Sequence, residues 1–304
     1  MTDWSKGAAW MEGRVIPIAE AKIHVMDWAL THSDVTYDVV PVREGAFFRL
    51  DDYLDRFEAS TAACRLDPGL GRAAIKSALH AIVAQAGLRD AYCSMTCARG
   101  VPLIPGSRDP RDCGNHFYAW AVPYIHVVTP DVVARGAKLK VASARRIPED
   151  SVNPRAKNYH WGDFTQGIFE AKEAGFDNVM LLDHDDNVTE GPGFNVFAVK
   201  DDRVVTSDHG VLHGITRRTV IEMCEELGLT VDARPLPLDE LYEADEVFLS
   251  SSGGGAMPVV QVEERIFGNG AHGPVAAKLA ALYWDWTRRP EHREEIAYAV
   301  EAAE

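Results

Sequence analysis

The chain reads as an α+β protein, and three observations carry that reading. Glycine-centred turns at Glu12-Gly13 and Glu44-Gly45 each separate two short apolar runs, the pattern of β-hairpins. Runs of apolar residues at helical spacing stand apart from those hairpins instead of alternating with strands one by one. No internal repeat or low-complexity tract interrupts the chain, which sets aside solenoids and flexible linkers.

The elements follow in order. Residues 10–16 form the first hairpin and 39–48 the second. Leu50, Leu54, Phe57 and Thr61 then recur at helical spacing, with Asp51 and Asp52 suited to the positive end of a helix. A second helix from about Ala73 gathers Ile75, Leu79, Ile82 and Val83 on one face, and Gly87 stops it. Strands at 91–97 and 116–122 complete this part. The proline-bounded stretch 123–130 reads as a crossing between domains. It divides a smaller N-terminal domain (1–123) from a larger C-terminal one (132–304), with 124–131 as linker. Beyond it come a strand near 139–143, a helix over 163–174, and strands at 179–182 and 194–199 joined through the Asp-rich turn 183–187. A helix over 217–227 carries Val220, Ile221, Cys224 and Leu227 on one face and ends at Gly228. A short strand spans 246–249. Pro274 opens a last helix with Val275, Leu279, Leu282 and Trp286 inward.

Composition narrows the function. The 304 residues hold 31 Lys and Arg against 46 Asp and Glu, a net charge of 31 − 46 = −15. Nucleic acids and anionic membranes need a basic footprint, so neither is expected as a partner. An anionic ligand must find a local positive pocket. The five cysteines are odd in number and scattered, which argues against a disulfide framework and for a reducing cytoplasm. Cys93 and Cys97 lack companions at metal-ligand spacing, so no metal is expected. The N-terminus beginning Met1-Thr2-Asp3-Trp4 lacks a secretory apolar region, and no stretch is long enough to span a bilayer.

Chemistry concentrates around Lys157, in the run Asn153-Pro154-Arg155-Ala156-Lys157-Asn158-Tyr159-His160-Trp161-Gly162-Asp163. A lysine among Pro, Asn and aromatic residues is placed to be desolvated. Desolvation favours the neutral amine, which can form a Schiff base. The plainer alternative is a surface lysine ending a loop. Two further segments are suited to an anion. In Gly210-Val211-Leu212-His213-Gly214-Ile215-Thr216-Arg217 a glycine-containing turn runs into a helix start, where the N–H groups of Ile215 and Thr216 and the Thr216 hydroxyl can bind phosphate. A simple N-cap threonine is the competing reading. In Ser250-Ser251-Ser252-Gly253-Gly254-Gly255 a strand ends in hydroxyls and unhindered backbone, a second cradle or else a flexible loop. Neither matches a Walker or dinucleotide-binding motif.

Taken in order, Lys157-Asn158-Tyr159-His160-Trp161-Gly162-Asp163, Thr189-Glu190-Gly191-Pro192-Gly193-Phe194-Asn195, Gly214-Ile215-Thr216-Arg217 and Ser251-Ser252-Gly253-Gly254 resemble the class IV (fold type IV) pyridoxal-phosphate aminotransferases. The resemblance runs from about Trp10 to Trp286. It is nearest the (R)-selective amine transaminases, through His32-Ser33-Asp34-Val35-Thr36-Tyr37-Asp38 and Phe47-Phe48-Arg49-Leu50-Asp51-Asp52. It implies a two-domain fold with the lysine in the larger C-terminal domain, and pyridoxal 5'-phosphate as cofactor. Lys157 would bind the cofactor and shuttle protons, and Glu190 would face the pyridine nitrogen. Arg56 would bind the phosphate, completed by Gly214, Ile215, Thr216, Ser251 and Ser252. Leu212 would pack on the ring, Phe194 and Asn195 would line the same side, and Tyr159 is a weaker candidate for the ring hydroxyl.

On the substrate side the resemblance places Tyr37, Val39, Tyr92 and Trp161 around a small and a large pocket, with His32 at the edge. Strand alternation alone puts Tyr37 and Val39 on one face, which equally suits core residues. The (R)-amine transaminases carry an arginine, shortly after a Thr-Arg-Gly turn, that meets a keto-acid carboxylate. That position falls at about Pro105 here, and Arg108 or Arg111 could take over. The same loop reaches toward a neighbouring subunit in the family, which implies a homodimer. The expected activity is transfer of an amino group from an (R)-amine to a keto acid such as pyruvate. The alternatives are a branched-chain or D-amino acid aminotransferase or an aminodeoxychorismate lyase of the same fold, and, outside catalysis, a phosphometabolite-binding protein.

Overall fold

The computed structural model describes residues 3–298; the chain ends 1–2 and 299–304, which fall within the N-terminal reading and the domain bounds above, lie outside the described residues. The chain divides into two compact units. Of the described residues, the first comprises 3–125, 156–159 and 289–298, and the second 126–155 and 160–288. The division differs from the sequence-based one in two places. Residues 156–159 group with the first unit because the Lys157 carbonyl accepts hydrogen bonds from the Tyr37 N–H at 3.2 Å and the Thr36 hydroxyl at 2.6 Å. The C-terminal segment joins it because Arg293–Glu295 pairs antiparallel with Ala46–Phe48.

The first unit is built on a seven-stranded sheet. Both expected hairpins form, Ala8–Met11 with Arg14–Pro17 and Val35–Arg43 with Ala46–Phe48. Two residues of each turn hold positive φ, with Glu12 at 50° and Gly13 at 84°, then Glu44 at 50° and Gly45 at 81°. Such conformations twist a tight turn to match its strands. Val35–Arg43 pairs with Ala91–Ala98, and that strand with His116–Pro123. Helices Leu50–Ala63 and Arg72–Ala86 pack on the sheet. Leu50, Leu54, Phe57, Ile75, Leu79, Ile82 and Val83 are all buried, as their spacing predicts.

The second unit holds an eleven-stranded mixed sheet with helices Gly162–Glu173, Ile215–Glu226 and Pro274–Trp286. One expected connection is corrected. The turn after Asn178–Leu182 leads into Asn187–Val188, not directly into Phe194–Lys200. Along the sheet, Glu246–Ser251, Gly255–Val262 and Ala137–Arg145 lie between Asn178–Leu182 and Phe194–Lys200. Instead Glu190–Gly191 folds back on Phe194–Lys200 through the Pro192-Gly193 turn. Three expected core residues also move, and the first of them, Ile221, is only half-buried. Leu227, beyond the end of its helix, is exposed and Met223 is buried in its place; Leu282 is half-buried beside the fully enclosed Tyr283. Among the described residues no helix is long and apolar enough to cross a membrane. All five cysteines are free, and burial pushes the Cys97 and Cys224 thiols up to about 12.

Candidate active site

In the first unit the lysine segment is fixed by main chain. Thr36 and Asn158 form an antiparallel bridge, and the Lys157 N–H lies 3.3 Å from the Ser60 hydroxyl. The segment thereby lies antiparallel beside the start of the strand Val35–Arg43, held also by the Thr36 and Ser60 hydroxyls. Lys157 Nζ sits 4.5 Å from the centroid of the Tyr37 ring. Tyr37 in turn packs against Tyr159 at 4.3 Å. Cross-strand register places Tyr37, Thr96 and Tyr118 on one row, and Val39, Ser94 and Trp120 on the next. Tyr92 stacks on Trp120 at 5.6 Å. Burial raises the Tyr92, Tyr118 and Tyr159 phenols, so they stay protonated and can donate.

Other expected residues of this unit are placed differently. Arg56 is clamped onto the fully buried Asp38, with Nε to Oδ2 at 2.8 Å and Nη2 to Oδ1 at 2.6 Å. Burial pulls its guanidinium down, and the charge of Asp38 more than offsets that, leaving it raised overall. His32 is exposed and packs on Trp28 at 4.5 Å at the end of the helix Trp28–Thr31. Arg108 is exposed, and Arg111 is committed to Asp109 two residues away.

The second unit gathers most of the remaining residues. Register lines up Glu190, Asn195 and Ser250 across three adjoining strands, on one face. Glu190 Oε2 accepts the Leu212 N–H at 2.9 Å, and the Asn195 amide donates to the Leu212 carbonyl at 2.9 Å. The Leu212 peptide is thus held from both sides. The helix Ile215–Glu226 starts immediately after, with Gly214 as N-cap and no side chain capping it. A Cβ on Gly214 would lie 2.4 Å from Asn195 Oδ1, so glycine is required for this approach. A Cβ on Gly191 would lie 2.2 Å from the Phe194 ring and 2.4 Å from the Val179 carbonyl.

Thr216 is the second residue of that helix, not its N-cap, and its hydroxyl is buried without a partner. Ser250 Oγ is likewise buried and unpartnered, and sequence reading passed over it for its neighbours. Ser251, expected in the anion site, uses its hydroxyl internally: it donates to Gly193 O at 2.7 Å and accepts the Gly253 N–H at 3.1 Å. Buried polar atoms are normally paired, so two idle hydroxyls beside an uncapped helix start describe a place for an oxyanion. The buried Arg217 on the same turn donates to Ser207 O at 3.0 Å and leaves its Nε unpartnered. Phe194 belongs to the hydrophobic core, and Trp161 packs edge-on against Phe164 at 5.4 Å over a smaller apolar cluster. Phe194 is buried and Trp161 half-buried, the ordinary fate of aromatic residues.

Sequence reasoning missed one more pair. Arg146 and Asp163, both buried, join Glu190 in an ionic cluster. Nothing local marks Arg145-Arg146 as anything but a solvated basic pair after a strand. Only the long-range partner reveals it.

Comparison with known proteins places these features in one family. The family description Amino-transferase class IV matches residues 36–262. A putative branched-chain-amino-acid aminotransferase of Methanocaldococcus jannaschii is 30% identical over 279 residues, covering 91% of this chain and 95% of that protein. The D-alanine aminotransferase of Bacillus licheniformis is 27% identical, covering 88% and 92%. A branched-chain amino acid aminotransferase of T.th., solved with pyridoxamine 5'-phosphate, superposes with a TM-score of 0.89 at 28% identity, covering 96% of this chain and 99% of that one. The chain belongs to the class IV aminotransferases.

Proposed function

We propose that this class IV aminotransferase uses pyridoxal 5'-phosphate to move an amino group from an (R)-amine to a keto acid such as pyruvate, in two half-reactions. The observation that carries the cofactor is the uncapped start of the helix Ile215–Glu226 with the idle Thr216 and Ser250 hydroxyls. These fit a phosphate, and Ile215 and Thr216 would hold it, with Ser252 beside them. When bound, the cofactor supplies an aldehyde for an amine and an electron-withdrawing ring that acidifies the adjoining C–H. Lys157 Nζ is the group that takes and returns that proton. Glu190 supplies a carboxylate for the ring nitrogen, and the Leu212 side chain packs on the ring. Arg56 keeps its charge while paired with Asp38, which suits the phosphate role that the family resemblance gives it.

The donor assignment rests on the sheet face that carries Tyr37, Val39, Ser94, Thr96, Tyr118 and Trp120, which presents aromatic, aliphatic and hydroxyl groups only. This face offers no cation to a donor carboxylate, and the carboxylate of the keto acid would be met by Arg108 from its loop. The nearby guanidinium of Arg99 is engaged by Asp34, Cys64 O and Arg65 O, and Arg56 by Asp38. The names of the relatives favour a second reading, a branched-chain or D-amino acid aminotransferase. Exposed Val25, Met26, Leu30, Leu103 and Ile104 of the first unit are the apolar side chains that a homodimer interface would cover. Five free thiols suit the cytoplasm.

The test is the visible spectrum of the purified protein. A yellow protein should lose its band with (R)-1-phenylethylamine, keep it with the (S) enantiomer, recover it with pyruvate, and release acetophenone. Discharge only by branched-chain or D-amino acids would transfer the assignment to the second reading. A colourless protein that binds phosphate esters regardless of Lys157 would leave a binding protein.

A further inference from the structure

One buried cation in the second unit is shared between two buried carboxylates. Arg146 donates through Nε and Nη2 to Glu190 Oε1, each at 3.3 Å, and through Nη1 to Asp163 Oδ2 at 2.7 Å. Asp163 also accepts the Ile147 N–H at 3.0 Å, and the guanidinium lies 4.2 Å from the centroid of the Phe164 ring. All three charged side chains are less than a tenth exposed. Formal charges over these three groups sum to 1 − 2 = −1.

We propose that Arg146, anchored by Asp163 and Phe164, is the positioning residue that keeps Glu190 ionised and aimed. The inference rests on the reading of Glu190 as the partner of a pyridine nitrogen, and it deepens that reading. A guanidinium at hydrogen-bond distance favours the charged form of a buried carboxylate, and losing that cation leaves a buried charge that is relieved by taking up a proton. A neutral Glu190 can no longer hold a proton on the ring nitrogen. The residual negative charge of the cluster is what a protonated ring nitrogen neutralises, so Arg146 and Asp163 together tune the site to accept a cationic ring.

The experiment is a pH titration of the full-length protein carrying carboxyl-13C glutamate, with Glu190→Gln to assign the resonance. In Arg146→Met the Glu190 midpoint should rise by about 1 to 3 units. With cofactor bound, the acid limb of the kcat profile against pH should move up by the same amount, about a tenfold loss per unit at pH values below the midpoint. Arg146→Lys keeps the charge without the two-pronged geometry and should give a smaller rise. A Glu190 midpoint that stays at the wild-type value in Arg146→Met overturns the proposal. Should that variant fail to fold by circular dichroism, Arg146→Lys decides in its place: a midpoint above wild type supports the inference, and an unmoved one overturns it. The titration needs no cofactor, so a wild-type protein that never turns yellow would end the functional reading separately. A yellow protein with an unmoved titration would end this inference alone.

Discussion

In the first unit Lys157 is placed by hydrogen bonds to its own main chain; in the second the carboxylate of Glu190 is placed largely by ion pairs. The Lys157 carbonyl is held by the Tyr37 N–H and the Thr36 hydroxyl, and the Lys157 N–H lies against Ser60. Only the bond from the Tyr37 N–H is independent of a side chain; the other two need the Thr36 and Ser60 hydroxyls. Glu190 takes the Leu212 N–H on one carboxylate oxygen, but its other oxygen meets Arg146 and, through it, Asp163. Removing one member of such a buried group strands the others, and the penalty grows with burial. A hydroxyl lost beside Lys157 removes one hydrogen bond, whereas a charge lost beside Glu190 leaves a buried ion unpaired.

The largest effect expected from this comparison is at the amine itself. Lys157→Ala should cut transamination by at least about a thousandfold, because no other group replaces a covalent nucleophile. Binding of pyridoxamine phosphate, read by calorimetry, should persist through the second unit. Retained turnover would break the comparison at its first term. Next comes Arg56→Met, which leaves Asp38 buried and uncompensated and should cost about 3 to 5 kcal/mol in urea unfolding. Loss of cofactor affinity with no loss of stability would instead make Arg56 purely a ligand group.

Thr216→Val should act in the opposite sense on the two properties. Cofactor binding should weaken about tenfold, the worth of one hydrogen bond to an anion. The cofactor-free protein should be as stable as wild type or slightly more so, since the buried hydroxyl has no partner to lose. The smallest effect concerns His213, whose pKa burial lowers. The unfolded chain binds that proton more readily, so stability from this group is complete above about pH 6.5 and declines as pH falls below it. His213→Asn should flatten that acid-side loss in melting curves, while an unchanged slope would show the ring solvated.

Short-range features were legible. The two hairpins were visible because Glu-Gly turns need positive φ, and the helices Leu50–Ala63 and Arg72–Ala86 because their apolar residues repeat along one face. The bare helix start at Gly214-Ile215-Thr216 was legible for the same local reason. What escaped was non-local. Arg146 meets Glu190 across 44 residues, and Arg56 meets Asp38 across 18, with no sequence pattern linking either pair. Ser250 and Ser251 are chemically alike in sequence. Only pairing decides that one hydroxyl is spent on Gly193 while the other stays idle. The expected direct link from 179–182 to 194–199 failed because a turn signal marks where a chain reverses and not which strand it joins next.

The excursion of residues 156–159 into the first unit has a consequence for anyone dissecting the protein. A cut in the 123–130 region, where composition invites one, would yield an N-terminal fragment without its lysine. The C-terminal fragment would carry that lysine without the Thr36–Tyr37 edge it pairs with, and would take away the Arg293–Glu295 strand as well. Neither piece holds a finished half. Split-protein complementation or domain grafting in this chain must therefore follow the hydrogen bonds and not the linear order of residues.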